Sequence, residues 1–521
     1  MKHKYIALAV IAAAALFTSC DKLLDIPRKA VIDYNTFYKD DSEIESAGIT
    51  MYSEVRGLYY NMVLAINCLA DDFFAGGAAH GDNVDMDALG EFGFNSETGQ
   101  IESTWSSLYG MIYDANVILG HINPEQSEVA ARTVAEAHLF RGWAYFNLAS
   151  LWGNPPIVDH ELAPSEYEQG NSTDADVWGL VESDLLAAIN SGKLPQKADK
   201  NDKTCWRVTK QFGQALLGKA YLWMATVLND NSYYAKSAEQ FAAVVNSGLY
   251  ELFTEAPYGD IRHSAYKMNC EDIFESIRVN DEDNLYDNFD FYGAMVGWRN
   301  SGGEMTIPES ICGGGWGFMV PTEDLLKTFE SYEGKNSYRR TETIKTYEEL
   351  RNMGVVWNQV TLSTGIFNWK GRFLTEELAY YSMVNTKNPL WMRYAEVLLC
   401  GAEANLQAGK TDVALQYVNM IRERAQLPKL TSVTLENIKT EKRLELVGEG
   451  TRFQDLVRWG DAYDCLKDKG NVYPKMEPNG TVNYVPTGRS EYGFKKGKHE
   501  RLPYPYTEVM LNHAIQQNPG Y

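Results

Sequence analysis

Apolar positions recur along this chain with a helical step. Trp105, Leu108, Tyr109, Ile112, Asn116 and Leu119 fall at i, i+3, i+4, i+7, i+11 and i+14, and Ala135, His138, Leu139, Gly142, Phe146 and Ala149 repeat those steps. Residues so spaced line one face of an α-helix, because about 3.6 residues complete a turn. The pattern returns in Leu217, Ala220, Tyr221, Met224 and Leu228, followed by Ala238, Phe241, Ala242, Val245 and Leu249. It returns again in Ala395, Leu398, Leu399, Ala402 and Leu406, followed by Ala414, Tyr417, Val418, Ile421 and Ala425. Three helix pairs are predicted, with small residues where the helices meet.

In the third pair Ala402 and Ala414 flank Gly409, and Pro428 follows the second helix. These are the small-residue and proline positions of a tetratricopeptide unit of about 34 residues. The second pair needs an insertion around Asn229 to Tyr233 to fit. Periodicity alone leaves plain helical hairpins and degenerate tetratricopeptide-like repeats both open. Elsewhere the texture changes: residues 255–320 are rich in Gly, Asn, Asp and aromatics, and residues 461–505 in Gly, Pro and Lys. Both stretches read as long loops with short strands and 3₁₀ turns, forming an irregular lobe on a helical scaffold.

The chain opens with Lys2, His3 and Lys4, then an apolar run from Ile6 to Phe17, then Leu16-Phe17-Thr18-Ser19 before Cys20. A basic start, a short apolar stretch and small residues before a cysteine describe a lipoprotein signal peptide, so Cys20 is the predicted lipidation site. The run is too short to cross a bilayer, which takes about 20 residues. The reading places a large body outside the cytoplasm, held to a membrane by acyl chains.

Charge narrows the partners. Removing residues 1–19 takes away two lysines and no acids, leaving 46 basic against 70 acidic residues, a net charge of −24. Such a body is repelled by nucleic-acid phosphates and anionic headgroups, which sets aside DNA, RNA and electrostatic membrane binding. Six cysteines beyond Cys20 are scattered without a CxxC or metal-ligand cadence, and no cofactor motif is present. Gly213 to Lys219 imitates a phosphate loop, but Ala220 stands where a Ser or Thr must hold magnesium, and Leu216 and Leu217 make it a helix interior. Glu445 and Glu449 could be a glycosidase acid and base. One helical turn apart beside Arg443, Arg452 and Arg458, they read instead as a structural charge ladder. Asp82, Asp85 and Asp87 follow Gly76, Gly77 and Gly81; calcium chemistry is open to them, but they fit no EF-hand and read as a solvated acidic loop. No catalytic or metal constellation is predicted.

Aromatic residues are abundant, with 32 Tyr, 12 Trp and 20 Phe. Tyr286, Phe289, Tyr292, Trp298 and Trp316 sit among glycines and amides, as in Gly313-Gly314-Gly315-Trp316-Gly317. Sugar rings stack their C–H faces on such rings while neighbouring amides and acids take the hydroxyls.

Several segments, in order along nearly the whole chain, resemble the SusD/RagB family of outer-membrane nutrient-binding lipoproteins. They are Cys20-Asp21-Lys22-Leu23-Leu24-Asp25-Ile26-Pro27; Ala135 to Leu148 with Gly153-Asn154-Pro155-Pro156; and Gly315-Trp316-Gly317 ahead of Pro321 to Leu325. Arg393-Tyr394-Ala395-Glu396-Val397-Leu398-Leu399, Glu441 to Leu446 through Arg452 to Gly460, and the ending Asn518-Pro519-Gly520-Tyr521 complete the set. The resemblance implies a mainly α fold, in which tetratricopeptide-like helix pairs form a scaffold carrying an irregular loop-rich lobe. It implies a binder, not an enzyme, that captures glycans at the cell surface and hands them to a SusC-like TonB-dependent transporter. Capture of peptides is the alternative within the family, and a glycoside hydrolase is a more distant one. In the family, loop aromatics contact the glycan, and the Asp71-Asp72 pair resembles a position near the ligand. Asp72, Tyr286, Tyr292, Trp298 and Trp316 are therefore the expected ligand contacts. The expected layout is a signal peptide over 1–19, a lipid-anchored tether over 20–35, an N-terminal helical part over 36–254, a ligand-binding lobe over 255–384, a helix pair and charged helix over 385–460, and a loop-rich segment over 461–521.

Overall fold

The first long helix among the described residues, α1 (Asp41–Leu69), starts where the Asp40 carboxylate accepts hydrogen bonds from the backbone of Ser42 and Glu43. The computed structural model describes residues 38–279, 288–289, 291–379 and 383–521. The signal peptide, Cys20, the tether over 20–35 and Tyr286 lie outside the described residues. Among the described residues no helix is long and apolar enough to cross a membrane.

The protein is mainly α-helical. After the short strand β1 (Phe73–Gly76) and α2 (Val84–Glu91), long helices follow in α3 (Gly99–His121), α4 (Glu128–Trp152), α5 (Asp174–Asn190), α6 (Lys210–Val227) and α7 (Ser232–Asn246). Side chains of Ser127, Thr173 and Thr209 cap α4, α5 and α6 by accepting from otherwise orphaned N–H groups. Each helix packs on the next: α1 on α3 and α4, α4 on α5, α5 on α6, α6 on α7. The series resumes after the irregular lobe, where α7 packs on α11 (Tyr394–Gln407) and α11 on α12 (Thr411–Arg424) and α13 (Leu435–Glu445).

The periodic segments fall on helices, with Leu228 and Ala425 at the C-caps and Leu249 just past the end of α7. The three expected pairs become α3 with α4, α6 with α7, and α11 with α12, while α1 and α5 extend the stack. Small residues set the helix spacing. A Cβ on Gly142 would lie 3.0 Å from Leu185, and one on Gly218 would lie 2.8 Å from the Phe241 ring. The Phe241 side chain is gripped from two sides, since a Cβ on Gly401 would come within 3.1 Å of it. The turn between α6 and α7, where the spacing demanded an insertion, holds Asn229 at φ 50°, a left-handed conformation that Asn tolerates. The Gly213 to Lys219 segment is interior helix, and Lys219 Nζ pairs with Glu396 at 2.7 Å.

The lobe is built from short pieces between α7 and α11. They include β2 (Asp272–Glu275), α8 (Tyr292–Val296), β3 (Trp298–Arg299), β4 (Gly314–Gly315), β5 (Phe318–Pro321), α9 (Glu323–Tyr332), α10 (Tyr338–Thr343) and β6 (Leu390–Arg393). The C-terminal part adds α14 (Arg452–Trp459) and the hairpin of β7 (Val472–Met476) with β8 (Val482–Pro486). Every sheet among the described residues has two strands. One of them ties the lobe to the rest, β1 pairing antiparallel with β5, while β6 pairs antiparallel with β2 within the lobe.

Glu445 and Glu449 are structural, as expected, but their partners differ from those the spacing suggested. Glu445 is fully buried between Arg339, Arg393 and Arg424, and Glu449 lies between Lys370 and Arg393. Arg443 and Arg452 instead reach Asp71 and Asp72, and Arg458 reaches Glu403 and Asp455. Helix ends bring distant elements closer than neighbours one turn away, so tertiary pairing overrides the local ladder. Burial pushes the Glu449 carboxyl upward, but the Arg393 and Lys370 cations outweigh it and hold the pKa at about 2.

Candidate functional site

Four aromatic rings gather at the surface where α1 meets the lobe. Tyr60 comes from the outer side of α1, Phe289 and Phe291 from the chain leading into α8, and Trp316 from the glycine-rich loop around β4. Ring centroids lie 5.9 Å apart for Tyr60 and Phe291, 5.3 Å for Phe289 and Phe291, and 5.9 Å for Phe291 and Trp316. Phe289 is 48% exposed and Phe291 37%, while Tyr60 and Trp316 are half-buried. Large apolar rings left in water next to one another are unusual on a protein surface and mark a place where something binds.

The glycine run explains how Trp316 is held. β3 and β4 pair in parallel, Trp298 with Gly314 and Arg299 with Gly315. The backbones approach so closely that a Cβ on Gly315 would lie 2.6 Å from Gly297 Cα and from the Ala294 carbonyl oxygen. Trp316 N donates to that Ala294 oxygen at 2.7 Å, and Gly317 N donates to Gly297 O at 2.8 Å. Gly317, at φ 80°, then turns the chain into β5. Trp316 is thus clamped by its own backbone against the end of α8, beside Phe291. Polar groups border it: Arg299 donates to Glu304 at 2.7 Å and to the Trp316 carbonyl at 3.4 Å.

The other expected contacts among the described residues, Asp72, Tyr292 and Trp298, lie deeper. Asp72 is 1% exposed, and its carboxylate accepts from Arg443 Nε at 2.8 Å. Asp71 accepts from Arg452 Nε and Nη2, both at 2.9 Å. Burial raises both carboxyls; at Asp71 the guanidiniums of Arg452 and Arg443 overcome it and hold the group below the usual range, whereas Asp72 stays above it. The pair is a bolt between the start of β1 and the helices α13 and α14, and its oxygens face protein. Trp298 is 5% exposed, packed with Phe367 and Trp369 in the small core of the lobe, and its Nε1 donates to Asn368 O at 3.2 Å. Tyr292 turns inward against Tyr59, with ring centroids 5.0 Å apart. Of the aromatics picked from sequence that fall among the described residues, only Trp316 and Phe289 share the surface cluster. Phe291 was hidden in the polar run before α8, and Tyr60 in the apolar stripe of α1.

The acidic loop is more built than a solvated one. Asp82 accepts from Ala78 N at 2.9 Å, and buried Asp87 accepts from Gly81 N at 2.6 Å. His80, Asp87 and Glu91 bring ligand atoms within 4.8 Å of one another. Arg489 already pairs with Glu91, so a guanidinium supplies the positive charge beside these acids.

The chain's relatives agree with this architecture. Residues 44–224 match the profile described as "Starch-binding associating with outer membrane", and residues 358–521 that described as "SusD family". The chain is 25% identical to SusD-like protein P25 of Formosa agariphila, over 96% of this chain and 97% of that one. It is 25% identical to a SusD-like protein of Bacteroides ovatus, over 90% of this chain and 84% of that one. A solved laminarin binding SusD-like protein matches with a TM-score of 0.77 at 27% identity, covering 93% of this chain and 100% of that one. Surface glycan-binding protein A from Bacteroides thetaiotaomicron, solved with laminarihexaose, shares the fold at a TM-score of 0.73 and 22% identity, over 92% and 99% of the two chains. With matching profiles near both ends and one fold throughout, this chain belongs to the SusD/RagB family.

Proposed function

We propose that this protein is a surface glycan-binding lipoprotein that captures an oligo- or polysaccharide and delivers it to a SusC-like TonB-dependent transporter. The observation that carries the reading is the exposed cluster of Tyr60, Phe289, Phe291 and Trp316. A cluster of rings gathered around Phe291 offers a sugar several stacking faces at once, and stacking needs no catalytic group. The relative with 27% identity is named for laminarin, which makes a neutral β-glucan the first ligand to try. Lipidation at Cys20 and an outward-facing position at the outer membrane complete the proposal, since stable anchoring rests on acyl chains. A binder without a channel moves nothing across a membrane by itself, so the barrel partner is part of the reading.

The test is calorimetric titration of the chain from residue 21 with laminarin oligosaccharides and a panel of other glycans. Saturable binding of any glycan, lost in a Phe291→Ala/Trp316→Ala double variant that melts like the parent, supports the reading. Glycan binding unaffected by both changes, or peptide binding in its place, refutes it. Mild-detergent purification from cells grown on the bound glycan should also recover one large outer-membrane barrel in near-equal amount.

A further inference from the structure

Behind the aromatic face, the residues next in sequence turn the other way. Tyr59 and Tyr292 line a narrow pocket together with Arg262, Lys370, Lys387 and Asn388. Its lining holds no Asp or Glu among the described residues, in a protein whose overall charge is strongly negative. Arg262 donates from Nη2 to the Tyr59 hydroxyl at 3.2 Å. Lys387 is 7% exposed, and its Nζ donates to the Arg372 carbonyl at 2.7 Å. Neither cation has an ion-pair partner among the described residues, because the acids around them are already committed. Glu377 accepts from His263 Nδ1 and from Leu374 N, each at 2.9 Å. Glu449 accepts from Lys370 at 2.7 Å and from Arg393 at 2.8 Å.

Lys387 is buried and Arg262 half-buried, and two such cations facing one cavity with no ion-pair partner among the described residues are costly; an anion entering between them relieves the cost. The pocket has room for little more than a pair of water molecules, which suits a carboxylate head and excludes a whole sugar ring. A guanidinium fork and a lysine point charge are the usual partners for such a group. We propose that this pocket binds a small carboxylate, either as a free anion or as the uronate group of an acidic sugar.

Lys387 carries a signature of this crowding of cations. Burial pushes its pKa down to about 7, with Arg262 and Arg372 adding to the fall against the attraction of Glu377 and Asp260. A bound anion favours the charged ammonium, so binding above about pH 7 takes up a proton and weakens as pH rises.

The experiment titrates acetate, D-glucuronate and, as an uncharged control, D-glucose into the full chain from residue 21. Calorimetry at about pH 8 uses two buffers of different ionisation enthalpy. Saturable acetate binding, with a heat that changes between buffers and an affinity at least about tenfold lower in Arg262→Gln and Lys387→Met, supports the proposal. Glucuronate that binds and competes with acetate assigns an acidic sugar; acetate binding alone assigns a free anion. Absence of saturable binding by either carboxylate, or unchanged affinity in Arg262→Gln, overturns it. If Lys387→Met fails to fold, Arg262→Gln and the buffer comparison on the parent chain decide.

Discussion

Arg443 donates to the Asp72 carboxylate at 2.8 Å across a sequence separation of 371 residues, and it reaches Asp324 at 2.8 Å as well. One guanidinium on α13 therefore ties together the start of β1, the start of α9 and the C-terminal helices. Replacing it by Met leaves the Asp72 carboxylate buried without its cation. The expected loss is about 3–5 kcal/mol, read as a large fall in the thermal midpoint. Asp72→Asn should leave glycan affinity at the parental value, because this carboxylate faces protein. A calorimetric Kd that worsens tenfold in folded Asp72→Asn would return it to the binding site.

Gly218 and Gly179 are both helical, but their substitutions should act with opposite signs. A Cβ at Gly218 meets the Phe241 ring at 2.8 Å, whereas one at Gly179 meets nothing within 4 Å. Gly218→Val gains at most about 0.5 kcal/mol of helix propensity and loses about 1–3 kcal/mol to overpacking. Gly179→Ala, in the exposed middle of α5, should stabilise by about 0.5–1 kcal/mol. Thermal midpoints of the two variants falling on the same side of the parent would contradict the packing described for α6 and α7.

The two tryptophans beside the glycine loop should also separate. Trp298→Ala removes a ring from the core of the lobe and should cost about 3–5 kcal/mol of stability. Trp316→Ala, half-exposed, should cost far less stability while weakening glycan binding by about 1 kcal/mol or more. Measuring melting and affinity on both variants checks the distinction; the reverse ranking in stability would place Trp316 in the core.

Acid should loosen the buried charge network. Glu449 titrates near 2 in the folded protein against about 4.5 when unfolded, a depressed acid. Its contribution, about 3 kcal/mol, is full above about pH 4.5 and fades as pH falls toward 2. Denaturation midpoints measured down the pH scale should decline through that window in the parent, and less steeply in Glu449→Gln. Equal slopes would remove Glu449 from the acid response.

The helices were legible wherever a polar face alternated with an apolar one, as in α3 and α4. α1 carries the same step in Ile44, Gly48, Met51, Val55, Leu58 and Met62, but its last turns, Met62 to Leu69, are buried on all sides and blur the stripe. Within the site, Trp298 and Trp316 have indistinguishable local surroundings in sequence. What separates them is Phe367 and Trp369, delivered from about 70 residues away to cover one ring and not the other. The partners of Asp72 and Glu445 were likewise unreadable, because helix spacing names neighbours one turn away while Arg443 and Arg393 arrive from other elements. Tyr60 was concealed by position: it directly follows inward-facing Tyr59, and a turn of about 100° per residue carries it to the outer side.

The two-stranded sheets have a consequence for how such a protein changes over generations. An isolated two-stranded ribbon is at best marginally stable, so each one here owes its shape to the helical body beneath it. Among the described residues no ribbon is a central member of a larger sheet, and altering one breaks no ladder beyond its own partner. Insertions, deletions and aromatic swaps around β3, β4 and the β7–β8 hairpin can accumulate while the stack of helices stays intact. The surface of the lobe can be rewritten piecemeal, one ribbon at a time, on a frame of helices that none of those ribbons holds together.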